Sequence, residues 1–268
     1  QMMFLKIIAA IDPDQNPKDL EAFLDALNDK VEISQDIVVL PGMVADSLEA
    51  ASPFENVHDK LLIDATSIVS TDPRSPDEPL EGSYNQPTPQ WRQRGTASPP
   101  FEGLEAVEAL EGVRQARLLR PNMLVVSTSI KGTPSPRTGQ HEGDDAQESQ
   151  RLEQIIQLRN SIWQLDSDKN LRWLFITNDD LDMTHTKARR RLLWQLTARF
   201  DVGRGLTFDE GRDRLCWDAT TPIPSEEHGV RRWPAVTLHD EETLAKVAAH
   251  PELKKYEWPP HLSFGGPE

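Results

Sequence analysis

Along the chain, short apolar runs alternate with stretches in which apolar residues recur at helical spacing. Leu5 to Ile11 is an apolar run that stops at Asp12-Pro13-Asp14, where a proline and two carboxylates end any buried ladder. After Pro17, Leu20, Phe23, Leu24, Leu27 and Val31 fall on one helical face, and Lys18, Glu21, Asp25 and Asp29 fall on the other. Asp36 to Leu40 is a second short run, closed by Pro41-Gly42. The order strand, helix, strand predicts a parallel sheet.

Between residues 72 and 100 the pattern disappears, with seven prolines, Gly82 and Gly95 among polar residues. Such a stretch reads as an extended or disordered linker. Beyond Phe101 the spacing predicts a helix over Leu104 to Leu119, a strand over Met123 to Ile130 and a polar loop from Lys131 to Ser149. A helix over Arg151 to Leu165 carries Leu152, Ile155, Ile156, Ile162 and Trp163, and Leu171 to Thr177 is a strand that ends in Asn178-Asp179-Asp180-Leu181-Asp182. Leu192, Leu193, Leu196 and Phe200 mark a helix over His185 to Phe200, and an acidic helix follows over Asp240 to Ala249. The fold class is α/β. Two related open, mostly parallel sheet units with flanking helices, 1–72 and 101–268, are joined by a Pro-rich linker, 73–100.

The two units are similar to each other. Leu5 to Asp14 lies over Leu171 to Asp180, and Val31-Glu32 lies over Phe200-Asp201, with three extra residues in the second helix. The octet Asp59-Lys60-Leu61-Leu62-Ile63-Asp64-Ala65-Thr66 lies over Asp213-Arg214-Leu215-Cys216-Trp217-Asp218-Ala219-Thr220, with five of its eight positions identical. Shared order, spacing and octet point to an internal duplication.

Composition narrows the function classes. The chain of 268 residues carries a formal net charge of -15, with 37% apolar and 27% charged residues, a globular balance. Such acidity argues against nucleic acid as the main partner, because phosphate binding relies on clustered Lys and Arg. Cys216 is the lone cysteine, so no intrachain disulfide forms and a reducing, cytoplasmic setting is expected. The apolar opening from Gln1 to Ile11 lacks a basic leader and is too short to span a membrane. A chain that opens just before a core strand reads as a fragment.

The same residues carry a resemblance to the C-terminal domain of UbiD-type decarboxylases, most closely the branch associated with menaquinone biosynthesis. Gln1-Met2-Met3-Phe4 with Lys6, Asp12-Pro13-Asp14, Asp36-Ile37, Asp46-Ser47-Leu48 with Ala51-Ser52, and Lys60 with Ile63-Asp64-Ala65-Thr66 resemble successive motifs of that domain. In the second unit Asp180-Leu181-Asp182, Trp194 with Arg199, Trp217-Asp218-Ala219-Thr220 and Arg232-Trp233-Pro234 resemble its end. The second unit also retains a preceding strand and helix that the first lacks. The chain departs from the family's pattern at Asn16, at Asp25 in place of a tryptophan, and at Cys216 in place of a glycine.

The resemblance implies a carboxy-lyase that uses prenylated FMN and a divalent metal on an aromatic or unsaturated acid. The Glu-Arg-Glu set and the cofactor site of that family lie in a flavin-binding barrel that this chain does not resemble. By itself the chain is therefore expected to bind no cofactor and to be inactive. Its role would be to shape the cleft, to meet the barrel and to pair subunits in a homo-oligomer. A stand-alone binding or assembly module is the alternative, and a nucleotide-binding doubly wound domain is a third reading.

The candidate residues follow from their positions. Asp12, Asp14, Asp180 and Asp182 end strands, where open α/β sheets bind ligands and where carboxylates hold Mg²⁺ or, more simply, cap helices. Asp64 and Asp218, each before Ala-Thr, are placed to orient a loop through side-chain to backbone bonds. Lys60 and Arg214 would pair with those acids or meet a phosphate. Lys187, Arg189, Arg190 and Arg191 form a basic patch suited to an acidic partner or to solvent. No zinc spacing, Gly-rich phosphate loop or Ser-His-Asp order stands out.

Overall fold

The structure is a computed structural model that describes residues 5–45, 51–54, 56–67, 99–132, 144–179, 188–231 and 241–250. Most of the expected linker, Asp180, Asp182 and Lys187 lie outside them. One compact unit runs from Gln1 to Trp233, and Pro234–Glu268 forms a second. The described part of the second unit is a helix, Glu241–Ala249, where the acidic helix was expected.

In the first sheet, β1 (Ile7–Ile11) leads to α1 (Leu20–Lys30). Asp19 caps α1, its carboxylate accepting the N–H groups of Glu21 at 3.0 Å and Ala22 at 3.2 Å. The helix buries Ala26 and Leu27 on its apolar face and ends where Val31 becomes extended. A single turn, α2 (Ile33–Asp36), redirects the chain into β2 (Ile37–Val44), and β3 (Val57–Ala65) follows.

The strand order is β1-β3-β2, with β1 parallel and β2 antiparallel to β3. The expectation that the strands flanking α1 run parallel does not hold: β3 comes between them, parallel to β1 and antiparallel to β2. Pro41 and Gly42 (φ 63°) break the register of β2, which is tolerated because β2 is an edge strand.

The second sheet corrects one expectation. Leu104 to Leu119 is not one helix: α3 (Leu104–Glu108) ends before Gly112 (φ 86°), and β4 (Val113–Arg120) follows. β4 pairs antiparallel with β5 (Met123–Thr128), whose six residues are all buried. A buried strand must have its backbone N–H and C=O groups bonded, and that demand overrides the helical propensity of Gln-Ala-Arg-Leu-Leu-Arg. The next helix, α4 (Asp145–Gln164), starts ahead of the expected Arg151 because Asp144 caps it, accepting the Gln147 N–H at 2.9 Å.

β6 (Trp173–Asn178), α5 (Ala188–Ala198), α6 (Val202–Gly205), β7 (Leu206–Phe208) and β8 (Leu215–Asp218) complete the sheet, ordered β4-β5-β6-β8-β7. β5, β6 and β8 are parallel, while β4 and β7 run antiparallel at the edges.

The path β6-α5-α6-β7-β8 repeats β1-α1-α2-β2-β3. Ile7 faces Leu61 as Trp173 faces Leu215, and Ile37 faces Ile63 as Leu206 faces Trp217. One core takes matching residues from both paths: Leu27 with Leu196, Val31 with Phe200, Ile33 with Val202, Leu61 with Leu215, and Ile63 with Trp217. Phe200 stacks on Trp217 with ring centroids 4.1 Å apart. A second core lies on the other face of the larger sheet, where Ile155, Leu158 and Ile162 of α4 cover Leu174, Ile176 and Cys216.

Basic side chains cross between the paths. Lys6 donates to the Phe200 carbonyl at 2.6 Å, and the equivalent Arg172 donates to the Val31 carbonyl. Arg120, at the end of β4, pairs with Asp25 and, at 3.0 Å, with Glu21. This contact accounts for the acid at position 25, since a tryptophan there would leave Arg120 without that partner.

Candidate functional site

The carboxyl ends of the parallel strands gather most of the candidate residues, and they do so twice. On the first sheet Asp12 accepts the Ser67 N–H at 2.6 Å through Oδ1 and pairs with Lys30 at 2.5 Å through Oδ2. Burial alone would raise its pKa, but the bonds from Lys30 and Ser67 outweigh that and hold it at about 2. Asp64 Oδ1 accepts both the N–H of Thr66 at 3.0 Å and its hydroxyl at 2.7 Å. Asp14 is exposed.

The second sheet repeats the arrangement. Asn178, matching Asp12, accepts the Thr221 N–H at 2.9 Å and donates to its hydroxyl at 2.8 Å. Asp218 accepts the Thr220 N–H at 2.9 Å and its hydroxyl at 2.6 Å. Local geometry explains the octet: its carboxylate locks the following Ala-Thr turn, and the residue after that turn is clamped by the end of the neighbouring strand.

Around Asp218 the structure adds residues that the sequence reading passed over. Arg151 lies in α4 and is almost wholly buried; it makes two bonds to Glu148, at 2.7 and 2.8 Å. It also donates to Thr220 Oγ1 at 2.7 Å and reaches Asp218 at 3.4 Å. Glu148, 0% exposed, accepts the Ile223 N–H at 2.8 Å as well. Burial would lower the Arg151 pKa, yet Glu148 and Asp218 raise it above the ordinary arginine value. The available signal was the spacing of Glu148 and Arg151, three apart, which becomes visible once the helix is started at Asp144.

Lys60 lies inside β3 and Arg214 just before β8, each four residues or about 13 Å from Asp64 and Asp218. Lys60 is buried and donates to the Leu5 carbonyl at 2.9 Å, and burial lowers its pKa. Arg214 pairs with Asp209 at 3.2 Å, donates to the Trp163 carbonyl at 3.1 Å and stacks over the Trp163 ring at 5.1 Å. It anchors the end of α4 rather than meeting Asp218.

Asp179 pairs with Lys131. Arg189, Arg190 and Arg191 fall in α5, with side chains outside the described set. Cys216 is buried, and burial pushes its thiol far above the usual range.

Among the described residues no three His, Cys, Asp or Glu side chains converge to hold a metal. No described helix is long and apolar enough to cross a membrane. The buried Glu148–Arg151–Asp218 set is closed on itself, with both carboxylates also bonded to backbone N–H groups. Chemically it fastens a helix to a strand end.

The chain matches known proteins over part of its length. Residues 1–65 match the model of the 3-octaprenyl-4-hydroxybenzoate carboxy-lyase C-terminal domain. A phenolic acid decarboxylase of Escherichia coli O157:H7 is 34% identical over 100 residues, covering 35% of this chain and 20% of that relative. The chain thus spans about a fifth of that relative.

Among solved structures, the UbiD-class enzyme HmfF from Pelotomaculum thermopropionicum in complex with FMN is 22% identical. That match covers 30% of this chain and 18% of that one, with a TM-score of 0.24. The vanillic acid decarboxylase of Sedimentibacter hydroxybenzoicus in its open form is 25% identical over 30% of this chain and 17% of that one, with a TM-score of 0.24. An evolved dimeric HmfF in complex with prFMN is 15% identical over 58% of this chain and 27% of that one, with a TM-score of 0.30. The similarity that carries weight is that of residues 1–65 to the 3-octaprenyl-4-hydroxybenzoate carboxy-lyase C-terminal domain.

Proposed function

We propose that this chain is the C-terminal portion of a UbiD-type carboxy-lyase acting on an aromatic or unsaturated carboxylic acid, of the branch associated with menaquinone biosynthesis. The match of residues 1–65 to that family's C-terminal domain carries the reading. In it, the chain shapes the cleft, meets the flavin-binding barrel of the same enzyme and mediates homo-oligomerisation in the cytoplasm. Prenylated FMN and a divalent metal belong to the barrel. The acid–arginine–acid set of Glu148, Arg151 and Asp218 has its bonds made within the chain. No catalytic step is assigned to this chain.

The same reading makes the two units diverged copies of one domain, 1–72 and 101–268, joined through the Pro-rich stretch 73–100. Supporting it are the repeated path, the matching registers and the paired clamps of Asp12 on Ser67 and Asn178 on Thr221.

The test is to express the full reading frame that contains this chain and assay decarboxylation of phenolic and other unsaturated acids with prenylated FMN. Activity in the longer protein, with none in the 268-residue chain, is expected. If the natural polypeptide has the mass of this chain and no barrel, a stand-alone assembly module replaces the enzyme reading.

A further inference from the structure

A turn near the end of the first unit and the start of α4 bring a serine, a histidine and an aspartate together. Asp145 and Ser149 lie four apart, on one face of the first two turns of α4. Opposite them, residues 225–230 form a closed turn in which Ser225 and Val230 exchange backbone bonds at 3.0 and 2.7 Å. Gly229, with φ 61°, donates to the Glu226 carbonyl at 3.2 Å, a conformation that suits glycine. The turn carries His228, whose Nε2 lies 2.8 Å from Ser149 Oγ.

The start of α4 holds this turn at several points. The Asp144 N–H donates to the Pro224 carbonyl at 3.0 Å, and Asp145 accepts the Ser225 hydroxyl at 2.5 Å and the Glu227 N–H at 3.3 Å. Ser225 Oγ in turn accepts the His228 N–H at 3.1 Å. A chain of bonds thus runs from the aspartate, one helical turn before the serine, to the residue that carries the imidazole. The Ser225 hydroxyl, followed by backbone N–H groups and the charge of His228, holds the Asp145 carboxyl below its ordinary pKa. An ionised Asp145 near His228 favours the imidazolium that forms when the ring takes a proton.

We propose that Ser149 is a nucleophile with His228 as its general base, and that the pair hydrolyses neutral activated esters. A hydroxyl within hydrogen-bond reach of an imidazole, with a third group that positions the base, is the arrangement nucleophilic catalysis requires. Ser149 and His228 are both partly exposed, unlike the buried Glu148 and Arg151 beside them in α4. Charge selects the ligand: Asp145, Glu226 and Glu227 are exposed on the same turn and helix end, which repels phosphates and carboxylates and admits neutral acyl compounds.

In the first step Nε2 takes the hydroxyl proton as Oγ bonds to the acyl carbon. The ester C–O bond breaks, and the leaving alcohol takes that proton from the imidazolium. Water then attacks the acyl-serine, giving a proton to Nε2, and Oγ regains it as the acid leaves. Ester and water become acid and alcohol, with no other reactant, and the reaction is separate from decarboxylation.

p-Nitrophenyl acetate and a fluorophosphonate probe test the proposal on the 268-residue chain, read by nitrophenolate release, intact mass and peptide mapping. One phosphonate adduct is expected, on Ser149, with nitrophenolate release that continues past one equivalent. His228→Gln, which keeps a hydrogen-bonding group beside Ser149, should slow both by about 100-fold or more while the circular dichroism spectrum stays native. Ser149→Ala should abolish both.

A serine that only clasps the turn would react no faster than other exposed serines and would not respond to loss of a base. Absence of a Ser149 adduct therefore overturns the proposal, as does an adduct that forms equally fast in His228→Gln. Release that stops at one equivalent, or acylation spread evenly over lysines and other serines, overturns it too.

Discussion

Lys6 ends its side chain on the carbonyl of Phe200, 2.6 Å away, joining the edge of the first sheet to the turn before α6 in the second. Arg172 makes the equivalent reach to Val31. Each cation satisfies a carbonyl that burial would otherwise leave short of a donor. Lys6→Met and Arg172→Met are each expected to lower stability by about 1–3 kcal/mol, read as a drop in the urea midpoint at unchanged slope. A midpoint equal to wild type in both variants would show that these bridges do not hold the sheets together.

Arg151→Met leaves Glu148 buried and charged, with its main partner gone. A loss of about 3–5 kcal/mol is expected from breaking one side of such a pair. The double variant Arg151→Met with Glu148→Gln should recover part of that loss, since the neutral amide carries a smaller desolvation cost. Chemical denaturation of the four proteins completes the cycle.

The pH dependence has a defined sign at Asp12. Its folded pKa of about 2 lies below the unfolded carboxylate value of 3.8, so its contribution is fully present above the unfolded value. That contribution is lost as the pH falls through about 4 to about 2. Melting curves of wild type and Asp12→Asn should differ at pH 6 and converge across that window. A constant difference down to pH 2 would remove Asp12 as the cause.

Gly205 leaves no room for a side chain. A Cβ there would lie 2.6 Å from the Asp218 carbonyl oxygen and 2.8 Å from the Phe200 ring. The backbone contact cannot move aside cheaply, so Gly205→Ala is expected to cost about 1–3 kcal/mol through overpacking. Thermal melting measures it, and an unchanged melting temperature would mean that β8 shifts freely.

Cys216 is fully enclosed by α4 and the second sheet, and its thiol is held protonated. A thiol-reactive dye should fail to label it in the native protein and label it fully after denaturation. Native labelling at the rate of a free thiol would mean that α4 opens readily.

Much of the local structure was legible from periodicity. The strand at Leu5 to Ile11, the helix carrying Leu20 to Val31, and the strand at Leu171 to Thr177 each have a pattern that permits one answer. The octet was legible too, and so was its structural role, because an Asp two residues before a Thr bonds locally whatever surrounds it. The segment after Gly112 misled for the opposite reason. Gln115 to Arg120 suits a helix in isolation, and only the need of β5 for a partner makes it a strand.

The network around Arg151 was invisible for a further reason. Asp218 lies 67 residues from Arg151, and nothing local announces that it meets the guanidinium already paired with Glu148.

By itself, then, the sequence determined that the stretches from Leu5, Leu20 and Leu171 become strand, helix and strand, and that one octet pattern recurs at Asp59 and Asp213. Those properties depend on neighbours within a few residues along the chain. Only the tertiary structure decided that β3 lies between β1 and β2, and that Lys6 and Arg172 each cross to the other sheet's path. It also decided that Ile155, Leu158 and Ile162 of α4 cover Leu174, Ile176 and Cys216. Such pairings depend on which surfaces meet after burial, and no local pattern encodes that.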